Sequence, residues 1–240
     1  MQREIFARAM KVSAQSVGGP EPLSRLAFVR TLTMSLGKKM RCETSWALRV
    51  TEVLLLFRRM FMGIKDCFDI YNTLLNKKYV LHIEGNMQLE ITFSKHNLKH
   101  LLGLQKLKDI NIVTENKAPV VYNLIKKNIV NDKLICGSQY YSKIEERILY
   151  FYLIPTILQS KIIVDFDPSK IPDSYKSKLQ ETDYILYHRI DSTTNAHLTL
   201  SEKDEQKHKC YPETFFVEHS QMYLTGQDFK DILNVEIIEL

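Results

Sequence analysis

The chain has 240 residues, 45% of them hydrophobic and 25% charged, with 8 Gly, 7 Pro and 4 Cys. That composition gives one or two domains with a sizeable core and excludes collagen-like, low-complexity and disordered classes. Cys42, Cys67, Cys136 and Cys210 are scattered singly, which excludes a disulfide scaffold and suits a reducing compartment. The net charge of +5 is unevenly spread: residues 1–61 carry eleven basic residues against four acids, whereas residues 62–240 carry 22 against 24. All twelve Tyr and all seven His follow residue 61.

A junction is therefore expected near Met60–Met62. Residues 1–61 read as an N-terminal extension of different composition, non-native or dispensable, with a transit-like targeting segment as the rival reading. Residues 62–240 form the acting domain. The apolar run Val53–Phe57 is cut by Arg58 and Arg59, far short of the roughly 20 apolar residues of a membrane span, so no membrane partner is expected.

Between Thr44 and Leu75 apolar residues recur at three- and four-residue steps, which predicts a helix leading into the domain. Lys78–Glu84 and Met87–Phe93 flank Gly85-Asn86 and predict a β-hairpin with a two-residue turn; Met87, Leu89, Ile91 and Phe93 alternate with polar residues, so one face is buried. Ser94 stands at an N-cap position, and a helix from Lys95 to Leu102 stops at Gly103, with His96 and His100 opposite the leucines. Further helices are predicted over Val120–Val130 and Ser142–Leu158, the second a core helix kinked or ended at Pro155. The remainder predicts strands at Ile162–Phe166, Tyr184–Ile190, Thr214–His219 and Val235–Leu240, with loops at Asp167–Glu181 and Ser201–Cys210.

Glycine-rich phosphate loops, nucleophile elbows, HExxH and CxxC pairs are all lacking, so nucleotide hydrolases, serine hydrolases, zincins and zinc ribbons gain no support. His96 and His100 have helical metal spacing without a readable third ligand, and no metal or other cofactor is expected. The residues suit metal-free phosphodiester cleavage instead. Histidine titrates near operating pH and serves as base or acid, and the arginine fork matches two phosphate oxygens. Arg189 is one of only two Arg in a body with twenty Lys, and it shares a strand face with Tyr187. The alternative for Arg189 is a plain solvent-facing edge. Thr214 offers a hydroxyl to a phosphate or to the backbone, and Glu218 and His219 read as surface residues closing their strand.

The block Asn76–Phe93, the following Asn97–Leu107 with His100-Leu101-Leu102-Gly103 and Lys106, and the later Tyr211–Glu218 resemble the phage-associated branch of the barnase/EndoU/colicin/RelE-like (BECR) nucleases. The resemblance spans about residues 62–240. It implies an α+β fold, with helices packed on one face of a mainly antiparallel sheet whose open face carries a metal-independent RNase site. It further implies His100 as general acid or base, Thr214 as hydroxyl donor, Arg189 and Lys106 as phosphate ligands, and Tyr187 as a base-stacking or hydrogen-bonding residue. The function so implied is that of a phage-associated or mobile-element toxin cutting RNA by 2′-hydroxyl attack in the cytoplasm of a bacterial host or target cell, with RNA and an immunity protein as partners. A catalytically silent RNA- or protein-binding module on the same fold is the alternative. A structural mobile-element protein with no nucleic-acid role ranks third.

Overall fold

A computed structural model of the chain describes residues 62–171, 179–204 and 208–240. The first half of the predicted leading helix lies outside these residues; its second half is helix α1, Ile64–Asn72, which buries Ile64, Cys67, Phe68 and Tyr71 at the three- and four-residue spacing of one helix face. Strands β1, Lys77–Ile83, and β2, Met87–Thr92, pair antiparallel with Ile83 opposite Met87. The turn thus holds three residues, Glu84-Gly85-Asn86, and is one longer than predicted. Gly85 and Asn86 both adopt positive φ, 77° and 61°, which these residue types tolerate best.

Short helices follow: α2 Leu98–Leu101, α3 Asn111–Thr114, α4 Ala118–Lys126, α5 Asp132–Cys136, α6 Glu145–Tyr150 and α7 Ile154–Ile157. The single core helix predicted over Ser142–Leu158 is instead α6 and α7 separated by a 3₁₀ turn at Phe151–Leu153, with Pro155 in the first turn of α7, where proline fits. Strands β3, Ile162–Asp165, β4, Tyr184–Arg189, β5, Asn195–Asp204, β6, Lys209–Glu218, and β7, Asp228–Glu239, complete the domain.

The seven strands close into a barrel in the order β1-β2-β6-β5-β4-β3-β7 and back to β1. This corrects the expected α+β arrangement of helices on one face of an open sheet. Closure depends on β7, whose first residues pair with β3 (Asp228 to Asp231) and whose remainder pairs with β1 (Ile232 to Glu239). The sequence predicts strand only over Val235–Leu240, because Asp228-Phe229-Lys230-Asp231 is mostly charged and lacks an apolar–polar alternation. The predicted loop at Ser201–Cys210 is likewise corrected: β5 runs through Asp204, and β6 starts at Lys209.

Two apolar clusters lie on opposite faces of β4. Tyr184 and Leu186 join the larger cluster, with Leu81, Leu89, Leu198, Phe215 and the helices. Ile185 joins the smaller, with Val164, Phe166 and Leu224, against which Tyr187, Phe216 and Tyr223 pack. Strands β2 and β6 are parallel and pair only at Glu90–Lys209 and Ile91–Cys210. Past Cys210, helices α2 and α6 lie against β6, and Asn97 ties the approach to α2 onto that strand by donating Nδ2–H to the Pro212 carbonyl at 3.0 Å. Cys67 and Cys210 are buried free thiols and Cys136 is an exposed one. Among the described residues no helix is long and apolar enough to cross a membrane.

Candidate active site

Arg147 links the Thr214 hydroxyl to the backbone of His100. Arg147, on α6, is 8% exposed. Its Nη1 donates to the Thr214 hydroxyl oxygen at 2.8 Å and to the His100 backbone carbonyl at 3.3 Å. Its stem lies against Gly103, where φ is +71°; a Cβ at that position would stand 2.9 Å from Arg147 Cδ. Gly103 therefore both stops α2 in a left-handed conformation and leaves room for the guanidinium. No ion pair of Arg147 with a carboxylate occurs among the described residues. Burial lowers its pKa to about 10, so it stays cationic at neutral pH. A buried cation without a counter-ion is costly, and it is the local condition that favours binding an anion.

His100, whose backbone carbonyl accepts from this cation, is itself exposed. Partial desolvation holds its pKa below the usual 6.5, the Lys99 ammonium acts in the same direction, and Glu213 opposes both. The ring is therefore neutral at pH 7 and able to accept a proton. Lys99 is itself buried, its Nζ donating to the carbonyls of Thr114 and Asn116 at 3.2 and 2.8 Å, which fixes the residue next to His100.

Thr214 sits at a register shift in the β5–β6 ladder, where Thr199 faces both Glu213 and Thr214. The Thr199 hydroxyl accepts from the Thr214 amide at 3.1 Å and donates to the Thr214 carbonyl at 3.3 Å. Glu213 Oε2 accepts from the hydroxyls of Thr182 and Ser201 at 2.6 and 3.0 Å. Such bulges re-aim side chains and are frequent beside active sites.

Arg189 stands elsewhere. It is exposed at the end of β4, opposite Asn195, which in turn faces Glu218 of β6. Two strands across and four residues along from Thr214 amount to about 16 Å between backbones. Tyr187 lies nearer: it aligns through His197 with Phe216, two residues from Thr214. Lys106 ends the 3₁₀ turn Leu104–Lys106 that follows Gly103, half-buried.

Glu218, expected at the surface, is buried together with His197. His197 Nε2 and Glu218 Oε2 are 2.9 Å apart. The other carboxylate oxygen accepts from Ser220 Oγ at 2.6 Å and from the amides of Met222 and Tyr223 at 2.7 and 3.3 Å. His219, as expected, is exposed, with Nε2 2.7 Å from Glu146 Oε1. Among the described residues no group of three or more His, Cys, Asp or Glu is placed to hold a metal ion.

A family model described as phage-Barnase-EndoU-ColicinE5/D-RelE like nuclease 4 matches residues 63–235. The chain belongs to this nuclease family. No curated protein and no solved structure matches it. Membership supports a nuclease function in general and agrees with the resemblance carried by the hairpin, by His100 to Gly103 and by Tyr211 to Glu218. In this nuclease-family chain Arg147 had one sequence signal. It is an arginine in a body that otherwise uses lysine, placed inside an apolar helical stretch.

The Glu218 hub makes a stability prediction. Burial works to raise its pKa, but hydrogen bonds from His197, Ser220 and the Tyr223 amide outweigh it and hold the pKa below the ordinary 4.5. The stabilisation is complete above the ordinary value and is lost as pH falls through the depressed folded value. Glu218→Gln leaves buried His197 without its carboxylate and is expected to cost about 3 kcal/mol, read by urea denaturation at pH 7. The variant's deficit should shrink as pH falls below 4.5.

Proposed function

We propose that the domain is a metal-independent endoribonuclease that cuts by attack of the 2′-hydroxyl on the adjacent phosphate, acting as a phage-associated or mobile-element effector in a bacterial cytoplasm. The observation that carries this reading is Arg147, a buried guanidinium with no carboxylate partner among the described residues, hydrogen-bonded to Thr214 and to the backbone of His100.

In this mechanism neutral His100 takes the proton from the 2′-hydroxyl. The freed oxygen attacks phosphorus, and the bond from phosphorus to the 5′-oxygen breaks as that oxygen takes a proton from solvent water. The product carries a 2′,3′-cyclic phosphate. Charge develops on the non-bridging oxygens, where Arg147 and the Thr214 hydroxyl donate and where fixed donors contribute most to the rate. Lys106 and Arg189 hold phosphates on either side of the reacting one, and Tyr187 supplies an aromatic surface for a base. An immunity protein that covers the site is the partner this role implies.

Incubating the full chain with total RNA in EDTA tests the reading. Fragments bearing cyclic phosphate ends are expected. Cleavage that appears only when a divalent cation is supplied would overturn metal independence, and intact RNA under every condition would overturn the activity.

A further inference from the structure

Resting on the ribonuclease reading above, we propose that the aromatic face beside Thr214 is a base pocket selective for a nucleobase with an exocyclic amino group, whose two N–H bonds are accepted by Asn195 Oδ1 and His197 Nδ1.

Among the described residues these two are the buried side-chain polar atoms without a hydrogen-bond partner. His197 is 0% exposed and Asn195 1%. Leaving a buried polar atom unpaired is costly, and pairs of such atoms call for an occupant. Asn195 and His197 are two apart on β5 and therefore point to the same face. An ionised Glu218 can only accept, so the hydrogen between it and His197 sits on Nε2; in that tautomer Nδ1 carries a lone pair. The face thus presents two acceptors side by side. One NH₂ group donating in both directions spans about 5 Å between its acceptors, so two same-face side chains, about 7 Å apart at the backbone, must lean toward each other to share it.

The walls suit a flat ring. Phe216 stacks on His197 with centroids 4.9 Å apart and planes at 21°, and Tyr223 and Tyr187 stand 6.2 and 6.3 Å from the same imidazole. Tyr187, Phe216 and Tyr223 all keep partial solvent exposure. Phe216 lies two residues from Thr214 on β6, about 7 Å along the strand, so a phosphate at Arg147 and Thr214 puts one of its flanking bases against this face. Residues 220–226 pass beside the two acceptors, fastened by the Glu218 carboxylate, with the Ser220 carbonyl 3.5 Å from Asn195 Nδ2 and the Tyr223 ring 6.2 Å from the His197 imidazole. Both acceptors are buried, so a base reaches them only if this wall opens.

Cytosine and uracil make the cleanest comparison, because they have the same size and differ where one carries an amino group and the other a carbonyl. A carbonyl against two acceptors leaves all three unpaired, and sites built to hydrogen-bond a group reject analogues lacking it strongly. Titration of the full chain with cytidine 3′-monophosphate and with uridine 3′-monophosphate, read by calorimetry, is expected to show cytidine binding at least tenfold tighter. Asn195→Ala should remove most of that preference by weakening cytidine binding. Equal affinity for the two nucleotides in the unsubstituted protein, or binding of neither, overturns the pocket without appeal to any variant. Cleavage of RNA in EDTA decides the parent reading separately, since an enzyme that cuts without discriminating cytidine from uridine retains the activity and loses the pocket.

Discussion

Replacing Arg147 by methionine is expected to lower RNA cleavage by about 10²- to 10³-fold, the loss typical when a fixed donor to developing negative charge is removed. The variant should remain folded. Methionine keeps the unbranched apolar stem that lies against Gly103 and removes a buried charge that has no carboxylate partner among the described residues. Buried ionic groups replaced by apolar ones of similar volume often leave stability unchanged or improved. A thermal melt at or above that of the unsubstituted protein, together with lost cleavage, would separate the chemical role from a structural one. Arg147→Lys should restore only part of the activity, because an ammonium keeps the charge and loses the planar fork that holds both Thr214 and a phosphate oxygen. A variant that cuts as fast as the original would remove the arginine from the site.

His100→Ala is expected to reduce cleavage by about 10²- to 10⁴-fold, the usual contribution of a positioned general base. The pH profile of the unsubstituted protein carries the same claim. Desolvation, seconded by Lys99, holds the His100 pKa below 6.5. The active form is the neutral one, so kcat/KM should rise with pH through a midpoint below 6.5 and flatten above it. A midpoint above 6.5 on the acid limb would mean that a different group takes the proton.

Much of this site was legible in the sequence because its parts are local. The hairpin follows from alternation around Gly85-Asn86; the leucines and the stop at Gly103 locate α2, but it starts at Leu98 with Asn97 before it, not at Lys95 behind Ser94. Thr214 was already among the candidates. What the sequence could not give was register. The meeting of His100 and Thr214 runs through Arg147, 47 and 67 residues away from them, and no local pattern reports such a contact. Arg189 was legible as a charged residue in an apolar strand, yet its distance from Thr214 depends on how β4, β5 and β6 align.

Glu218 shows the same limit in another form. As the last residue of β6 it reads as a surface carboxylate, and it is buried because residues 220–223 turn back and donate their hydroxyl and amides to it. Barrel closure was missed for a related reason. Strand β7 pairs with β3 and then with β1, and its first half lacks the alternation by which half-buried strands are recognised.

The central claim is that this centre cuts RNA through the 2′-hydroxyl of the nucleotide at the scissile bond. An oligoribonucleotide whose cleavage position has been mapped, compared with the same strand carrying one 2′-deoxy nucleotide at that position, tests it most directly. Mass spectrometry in EDTA should find the all-ribose strand cut to a 2′,3′-cyclic phosphate and the substituted linkage intact. Cleavage of the substituted linkage at an undiminished rate would contradict the account.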